Sequence, residues 1–256
     1  DLHSTELTEM WLSDIAGQHP AWLQYEFDRV YKLHQMRVWN HNTLTEPVIG
    51  YGAREATIEY SADGANWTTL GTTHEFARGS GAAGYAYNTT VGFGGVAVKH
   101  VRLTISSNWG GLLPQYGLSE VRFLYIPVWA REPNPASGAT DVDVDLVLSF
   151  RAGREGAEHN VDISTDEQVV IDGNAPVTTV TETSYSLSPL DVDSTYYWRV
   201  DEVNEAEIPA TWQGDIWNFT TQESLVVDDF ESYNEIPDGE EGSNLVYLTW
   251  IDGYEN

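Results

Sequence analysis

The chain is predicted to be all-β, built from β-sandwiches, on three observations. Short runs alternate apolar and polar residues with a period of two. Turn-forming pairs such as Asp63-Gly64 punctuate those runs. No stretch of ten residues or more carries apolar residues at helical spacing.

The first informative segment is VWNHN, residues 38–42, which closes an apolar run with a large ring, two amides and an imidazole. Trp39 continues the strand and is expected in the core. His41 and Asn42 have two readings, as closure of a turn or as contacts for a polar, ring-shaped ligand. Downstream, ATIEYS places Ala56, Ile58 and Tyr60 on one strand face, VRLTI does the same with Val101, Leu103 and Ile105, and SEVRFLY with Val121, Phe123 and Tyr125. Between them, GSGAAG (79–84) and GFGG (92–95) read as glycine turns joining strands.

A break falls at residues 126–141, where Pro127, Pro133, Pro135 and Gly138 interrupt any sheet. Val142, Val144, Leu146, Leu148 and Phe150 then alternate with mostly polar neighbours. Further strands are expected in HNVDIST, YYWRVDEV and GDIWNFTT, which fits a second sandwich. Three segments result: 1–126, 127–223 and 224–256.

Composition narrows the function. The 256 residues are 41% hydrophobic and 12% aromatic, enough to bury cores, and the formal net charge is −28. The charge is uneven: −4 over residues 1–126, −15 over 127–223 and −9 from 224 onward. Such a chain is repelled by nucleic acid and by anionic membranes. No run approaches the roughly 20 apolar residues that cross a bilayer, so membrane insertion is not expected. With no Cys, thiolate zinc sites and cysteine nucleophiles are excluded. The sequence opens without Met or a leader pattern and reads as a piece of a longer polypeptide. No nucleophile elbow, HExxH motif or phosphate loop is present. The acids Asp228, Asp229 and Glu231 lie on an extended stretch where neighbours face opposite ways, unlike a glycosidase pair. The chain is therefore expected not to be an enzyme.

Three segments carry a family resemblance in their order and spacing: MWLSD…HPAWLQYEFDRVYKLHQMRVWNHN, ATIEYSADGANWTTLG and KHVRLTISSNWGGLLPQYGLSEVRF. Together they resemble a discoidin domain of the coagulation factor V/VIII type C class, close to family-32 carbohydrate-binding modules. The resemblance covers residues 1–126. It implies a jelly-roll sandwich whose opening strand would precede Asp1, with ligand held by loops at one end. Residues 127–223 resemble a fibronectin type III domain through LSPLDVDSTYYWRVDEVNEA and GDIWNFTT, with Leu190 and Tyr196 at the spacing of a tyrosine corner. The tail from 224 resembles the start of another jelly-roll module.

On that resemblance the site is expected to gather His41, Asn42, Asn108, Trp109 and Tyr116. Trp109 would stack on a sugar face while the imidazole and amides pair its hydroxyls. Trp109 also has a core reading. The resemblance also implies a structural calcium between the early loop and a Glu of the final strand, here Asp1, Thr5, Glu6 and Glu120, whose hard oxygen donors suit it. The Asp-Gly step that usually accompanies such a site is missing, and a surface salt bridge is the other reading of Glu120. The partner is expected to be a glycan, and the setting outside a bacterial cell, as a non-catalytic adhesion module of a larger protein. The competing expectation is a structural protein that self-associates by strand addition at an open sheet edge.

Overall fold

The computed structural model describes residues 2–187, 189–225 and 227–250. Strands dominate, and the longest helix, α2 (Glu167–Ile171), has 5 residues; α1 (Glu46–Ile49) and α3 (Val246–Thr249) have 4 each. The described residues fall into two compact units. The first runs to Arg131 and includes Ala152–Asn160 and Val200–Gly214. The second holds Glu132–Arg151, Val161–Arg199 and the residues from Asp215.

Seven strands organise the first unit: β1 (Trp11–Leu12), β2 (Ala21–Asn40), β3 (Ala53–Ser61), β4 (Thr68–Thr69), β5 (His74–Glu75), β6 (Thr89–Asn108) and β7 (Gly117–Ile126). Their order is β1-β7-β2-β6-β3-β4, with β5 also on β3. β2 and β6, each 20 residues long, run antiparallel from Ala21↔Ile105 to Val38↔Thr89. Their register slips between Glu26 and Tyr31 and again between Leu33 and Gln35. These irregularities bend both strands, since an extra residue on one strand kinks the ladder. The first half of β2 therefore joins the layer containing β3, and the second half lies between β6 and β7.

Period two puts the core where the sequence placed it. Ala56, Ile58, Val101, Leu103 and Ile105 are fully buried and meet Leu33, Met36 and Val38 from β2. Val121 and Phe123 pack against this cluster, while Tyr125 stays half exposed, edge-on to Tyr31 and tilted against Trp129. Trp39 is buried as expected, beneath Arg122 and against Tyr87. Two readings are corrected. Residues 126–141 do not interrupt every sheet, since Arg131–Asn134, with Pro133 inside it, and Ala139–Val142 are strands. GFGG is not a turn between strands: Gly94 and Gly95, at φ +71° and +81°, lie inside β6. Glycine tolerates that left-handed backbone at a bend, so a strand can pass through it.

The remaining strands are β8 (Arg131–Asn134), β9 (Ala139–Val142), β10 (Val147–Arg151), β11 (Glu158–Ser164), β12 (Val177–Val180), β13 (Ser184–Ser186), β14 (Thr195–Val203), β15 (Thr211–Trp212) and β16 (Ile216–Thr221). They form a three-stranded sheet, β13-β10-β8, and a six-stranded one, β12-β11-β14-β16-β9 with β15 on β14. Within the second unit, Leu148, Trp198 and Phe219 are fully buried, and Trp198 meets Trp217 edge-on at 4.8 Å. The Asp191 amide donates to the Tyr196 hydroxyl at 3.1 Å, which ties the strand to the preceding loop as a tyrosine corner does. In the tail, the described residues 227–250 form turns and α3.

Candidate functional site

β2 ends at Asn40, and the loop that follows is held by the polar side chains of VWNHN. Asn40 Nδ2 donates to the carbonyls of Ala53 (2.7 Å) and Ala77 (2.8 Å), and its Oδ1 accepts from the His41 amide. Asn42 Nδ2 donates to the carbonyls of Ser4 and Ala82, and its Oδ1 accepts from the Gly81 amide at 2.7 Å. His41 Nδ1 lies 2.8 Å from Glu46 Oε2; a carboxylate accepts, so the imidazole donates. Glu46 Oε1 accepts from the Gly52 amide at 2.9 Å, and Arg78 donates to the Glu46 carbonyl. His41, Asn42 and Glu46 are all 0% exposed. Tyr85, also buried, accepts the Asn40 amide through its hydroxyl, and burial pushes its pKa up to about 12.

These bonds answer the question that VWNHN raises. His41 and Asn42, expected as ligand contacts, face polypeptide on every side and fasten three loops together. The ring of His41 leaves room for nothing larger than a hydrogen at Gly117, where a Cβ would stand 2.5 Å from the imidazole.

The loop after β6 is shaped by Asn108. Its Nδ2 donates to the carbonyls of Leu113 and Gln115, both at 2.7 Å, and its Oδ1 accepts from the Gly111 amide at 2.6 Å. Trp109 turns away from the loop tip. Its Nε1 donates to the Phe76 carbonyl at 2.9 Å, and the Arg54 guanidinium sits 4.8 Å from its ring centre. Tyr116 is 7% exposed, with its hydroxyl 3.4 Å from the Ser106 carbonyl and its ring against the edge of His19.

Between these groups lies a cleft of about 300 Å³, lined by Ser106, Ser107, Asn108, Leu112, Leu113 and Tyr116 among others. It brings together Asn108 and Tyr116 of the five expected residues. Trp109 packs the loop from its other side, and His41 and Asn42 lie beneath the loops. Sequence reasoning passed over Glu46, Ser106 and Ser107. The hydroxyl pair directly before Asn108 was a readable signal; the burial of Glu46, in a Thr-Glu-Pro step that reads as an exposed helix start, was not.

Of the four residues expected to hold calcium, Asp1 lies outside the described residues. Glu120 is engaged by His3 at 2.6 Å and by Arg122. Burial alone would raise the Glu120 pKa, but these hydrogen bonds bring it below the usual glutamate value. Thr5 is half-buried and Glu6 exposed. Among the described residues, no three His, Asp or Glu side chains are grouped to hold a metal ion. No helix among them is long and apolar enough to cross a membrane.

No curated protein matches the chain. Among solved structures, the family-32 module CBM32-1 from a family 31 glycoside hydrolase of Clostridium perfringens is similar at 16% identity and a TM-score of 0.33, covering 45% of this chain and 75% of that one. A family 89 glycoside hydrolase from Clostridium perfringens is similar at 14% identity and a TM-score of 0.33, covering 45% of this chain. The chain spans 11% of that enzyme's length. An Fn3-like protein from Clostridium thermocellum is similar at 17% identity and a TM-score of 0.27, covering 39% of this chain and 98% of that one. Residues 4–103, which hold β1 to β5 and most of β6, match the family model of the NedA-like, galactose-binding domain of the F5/F8 type C class.

Proposed function

We propose that the chain is a non-catalytic carbohydrate-binding module that attaches a larger secreted or cell-surface protein to a galactose-type or other neutral glycan. The observation that carries this reading is the cleft between Ser106 and Tyr116, on a loop whose backbone is fixed by the hydrogen bonds of Asn108. The family match over residues 4–103 supports it. Sugars need hydroxyl partners and an apolar surface at fixed spacing; Ser106, Ser107 and the Tyr116 hydroxyl offer the first, Leu113 and the Tyr116 ring the second. A shallow site of this kind binds modestly, since few contacts offset lost translational freedom. Residues 127–223 act as a fibronectin-like spacer between functional modules.

Galactose titration by calorimetry or NMR tests the reading. Ser107→Phe puts a ring into the cleft and is expected to weaken binding about tenfold or more, with the melting temperature nearly unchanged. Trp109→Phe should lower stability by about 1 kcal/mol, the worth of its hydrogen bond to Phe76, and leave binding intact. Native-like affinity in Ser107→Phe would place the site elsewhere.

Calcium enters the proposal as a competitor for Glu120, where an ion has to displace His3 and Arg122. Chelator then lowers the melting temperature of calcium-loaded protein, and Glu120→Gln removes the difference. An unchanged melting curve rejects the ion.

A second reading rests on β7. Its partner on one side is β2 along residues 118–126, but on the other side, among the described residues, only β1 pairs with it, at Gly117 and Leu118. Such an edge can accept a strand from a second copy. Concentration-dependent dimers in light scattering would support that reading, and a monomer at all concentrations would reject it.

A further inference from the structure

A second surface in the first unit lies on the sheet beside the loop cleft and is made of side chains that do not line it. On the outward face of the sheet, Trp22 of β2 stands opposite Thr104 of β6, which stands opposite Thr57 of β3. In the next row, Gln24, Arg102 and Glu59 face one another in the same way. Trp22 is 52% exposed, on the stretch of β2 that pairs with β6 and, among the described strands, not with β7. The Arg102 guanidinium lies between two indoles, 4.1 Å from the centre of Trp67 and 5.7 Å from that of Trp22. Its Nη2 and Nε donate to Gln24 Oε1 at 2.9 and 3.2 Å, and Glu59 lies 3.9 Å from Nη1.

A lone exposed tryptophan on a sheet would call for no explanation. Here the ring belongs to a fixed array. Trp67 is anchored by its Nε1 donating to the Gly64 carbonyl at 3.1 Å. That turn is knitted by Asp63, which accepts from Ser61, the Ala65 and Asn66 amides and the Asn66 side chain. Stacking and hydrogen bonding hold Arg102 in place, so the surface is organised before any ligand arrives, which reduces the ordering cost of binding. From β2 to β3 the array spans about 10 Å, two strand spacings, and offers an exposed indole face, an amide, a guanidinium, a carboxylate and two threonine hydroxyls. A flat indole beside planar hydrogen-bonding groups matches a pyranose, which carries C–H groups on its face and hydroxyls at its rim.

We propose that this face binds a neutral polysaccharide chain lying across the strands, with one sugar ring stacked on Trp22 and its neighbour paired by Gln24, Arg102 and Glu59. The charge balance selects neutral polymer over acidic. Glu59 already answers the charge of Arg102, Glu26 is exposed one row further on, and residues 1–126 carry a net −4.

The test is affinity electrophoresis through gels containing galactan or glucomannan, with polygalacturonate as the acidic control. Galactose titration of the same proteins reports separately on the loop cleft. Expected is retardation of the native chain by at least one neutral polymer and none by polygalacturonate. Trp22→Ala should reduce that retardation at least about fivefold, and Gln24→Ala should also weaken it, both with unchanged melting temperature and galactose titration. Ser107→Phe, which blocks the cleft, should leave a substantial part of the retardation. Retardation of Trp22→Ala equal to native would overturn the proposal, as would a native chain retarded by neither neutral polymer or only by polygalacturonate. In each of those cases the galactose titration still judges the loop cleft on its own.

Discussion

His41 and Glu46 show what a residue's surroundings do to its meaning. Both side chains are fully buried and their hydrogen bond joins β2's end to α1, so removing either leaves the other one buried bond short. His41→Ala is expected to cost about 3 kcal/mol in urea unfolding of the first sandwich, because the buried Glu46 carboxylate loses the donor to its Oε2, keeping the Gly52 amide on Oε1, and a cavity opens. Glu120 shows a second case, with a readable sign. Its folded pKa lies below the ordinary value of 4.5, so its bonds to Arg122 and His3 contribute stability above that pH. The contribution is lost as pH falls through the folded value. Glu120→Gln should therefore flatten the acid limb of the stability curve below about 4.5, measured as melting temperature against pH; an unaltered limb would mean that another carboxylate governs it. Trp109 was read as an exposed stacking ring or as core, and its bonds to Phe76 and Arg54 make it a brace for the loop.

At the scale of the element, the two 20-residue strands carry the site. β2 delivers Asn40 to one loop and β6 delivers Asn108 to another, and each amide then shapes the backbone beyond it. The glycines of these segments do two different jobs. A Cβ on Gly94 would meet nothing within 4 Å, so Gly94→Ala tests the positive φ alone and should cost roughly 1–2 kcal/mol. At Gly117 the backbone is ordinary and the obstacle is the His41 ring, so Gly117→Ala should destabilise by about 1–3 kcal/mol through overpacking. A His41→Ala background should relieve much of the second cost and none of the first, which thermal melts of the double variants would show. Strand faces were legible because alternation decides them: Val101, Leu103 and Ile105 all proved fully buried. The passage of β6 through GFGG was not, because the same glycines serve a turn or a bend, and the pairing of β6 with β2 settles which.

For the whole molecule, charge is the property with a direct experimental consequence. A net −28 on 256 residues repels itself, and 24 of those charges fall after residue 126. Raising salt from 10 to 150 mM shortens the Debye length from about 30 to about 8 Å and should raise the melting temperature. A fall would show that attractive pairs such as Lys32 with Glu155 and Glu207, which join segments of the first unit, dominate instead. What the sequence determined by itself was the all-β class, the inward face of nearly every long strand and the polar, aromatic chemistry of the loops. Period-two alternation and turn residues are local properties, and burial follows from them. What only the tertiary structure decided was which polar side chains reach solvent. Asn42 turned inward to satisfy backbone groups of Ser4, Gly81 and Ala82, and His41 and Glu46 turned inward onto each other, while Arg102, on a strand position that local pattern marks only as outward, came to lie beside Trp22 and Trp67. A hydrogen-bond partner or a stacking neighbour many residues away is set by how the strands pair, and no local pattern encodes it.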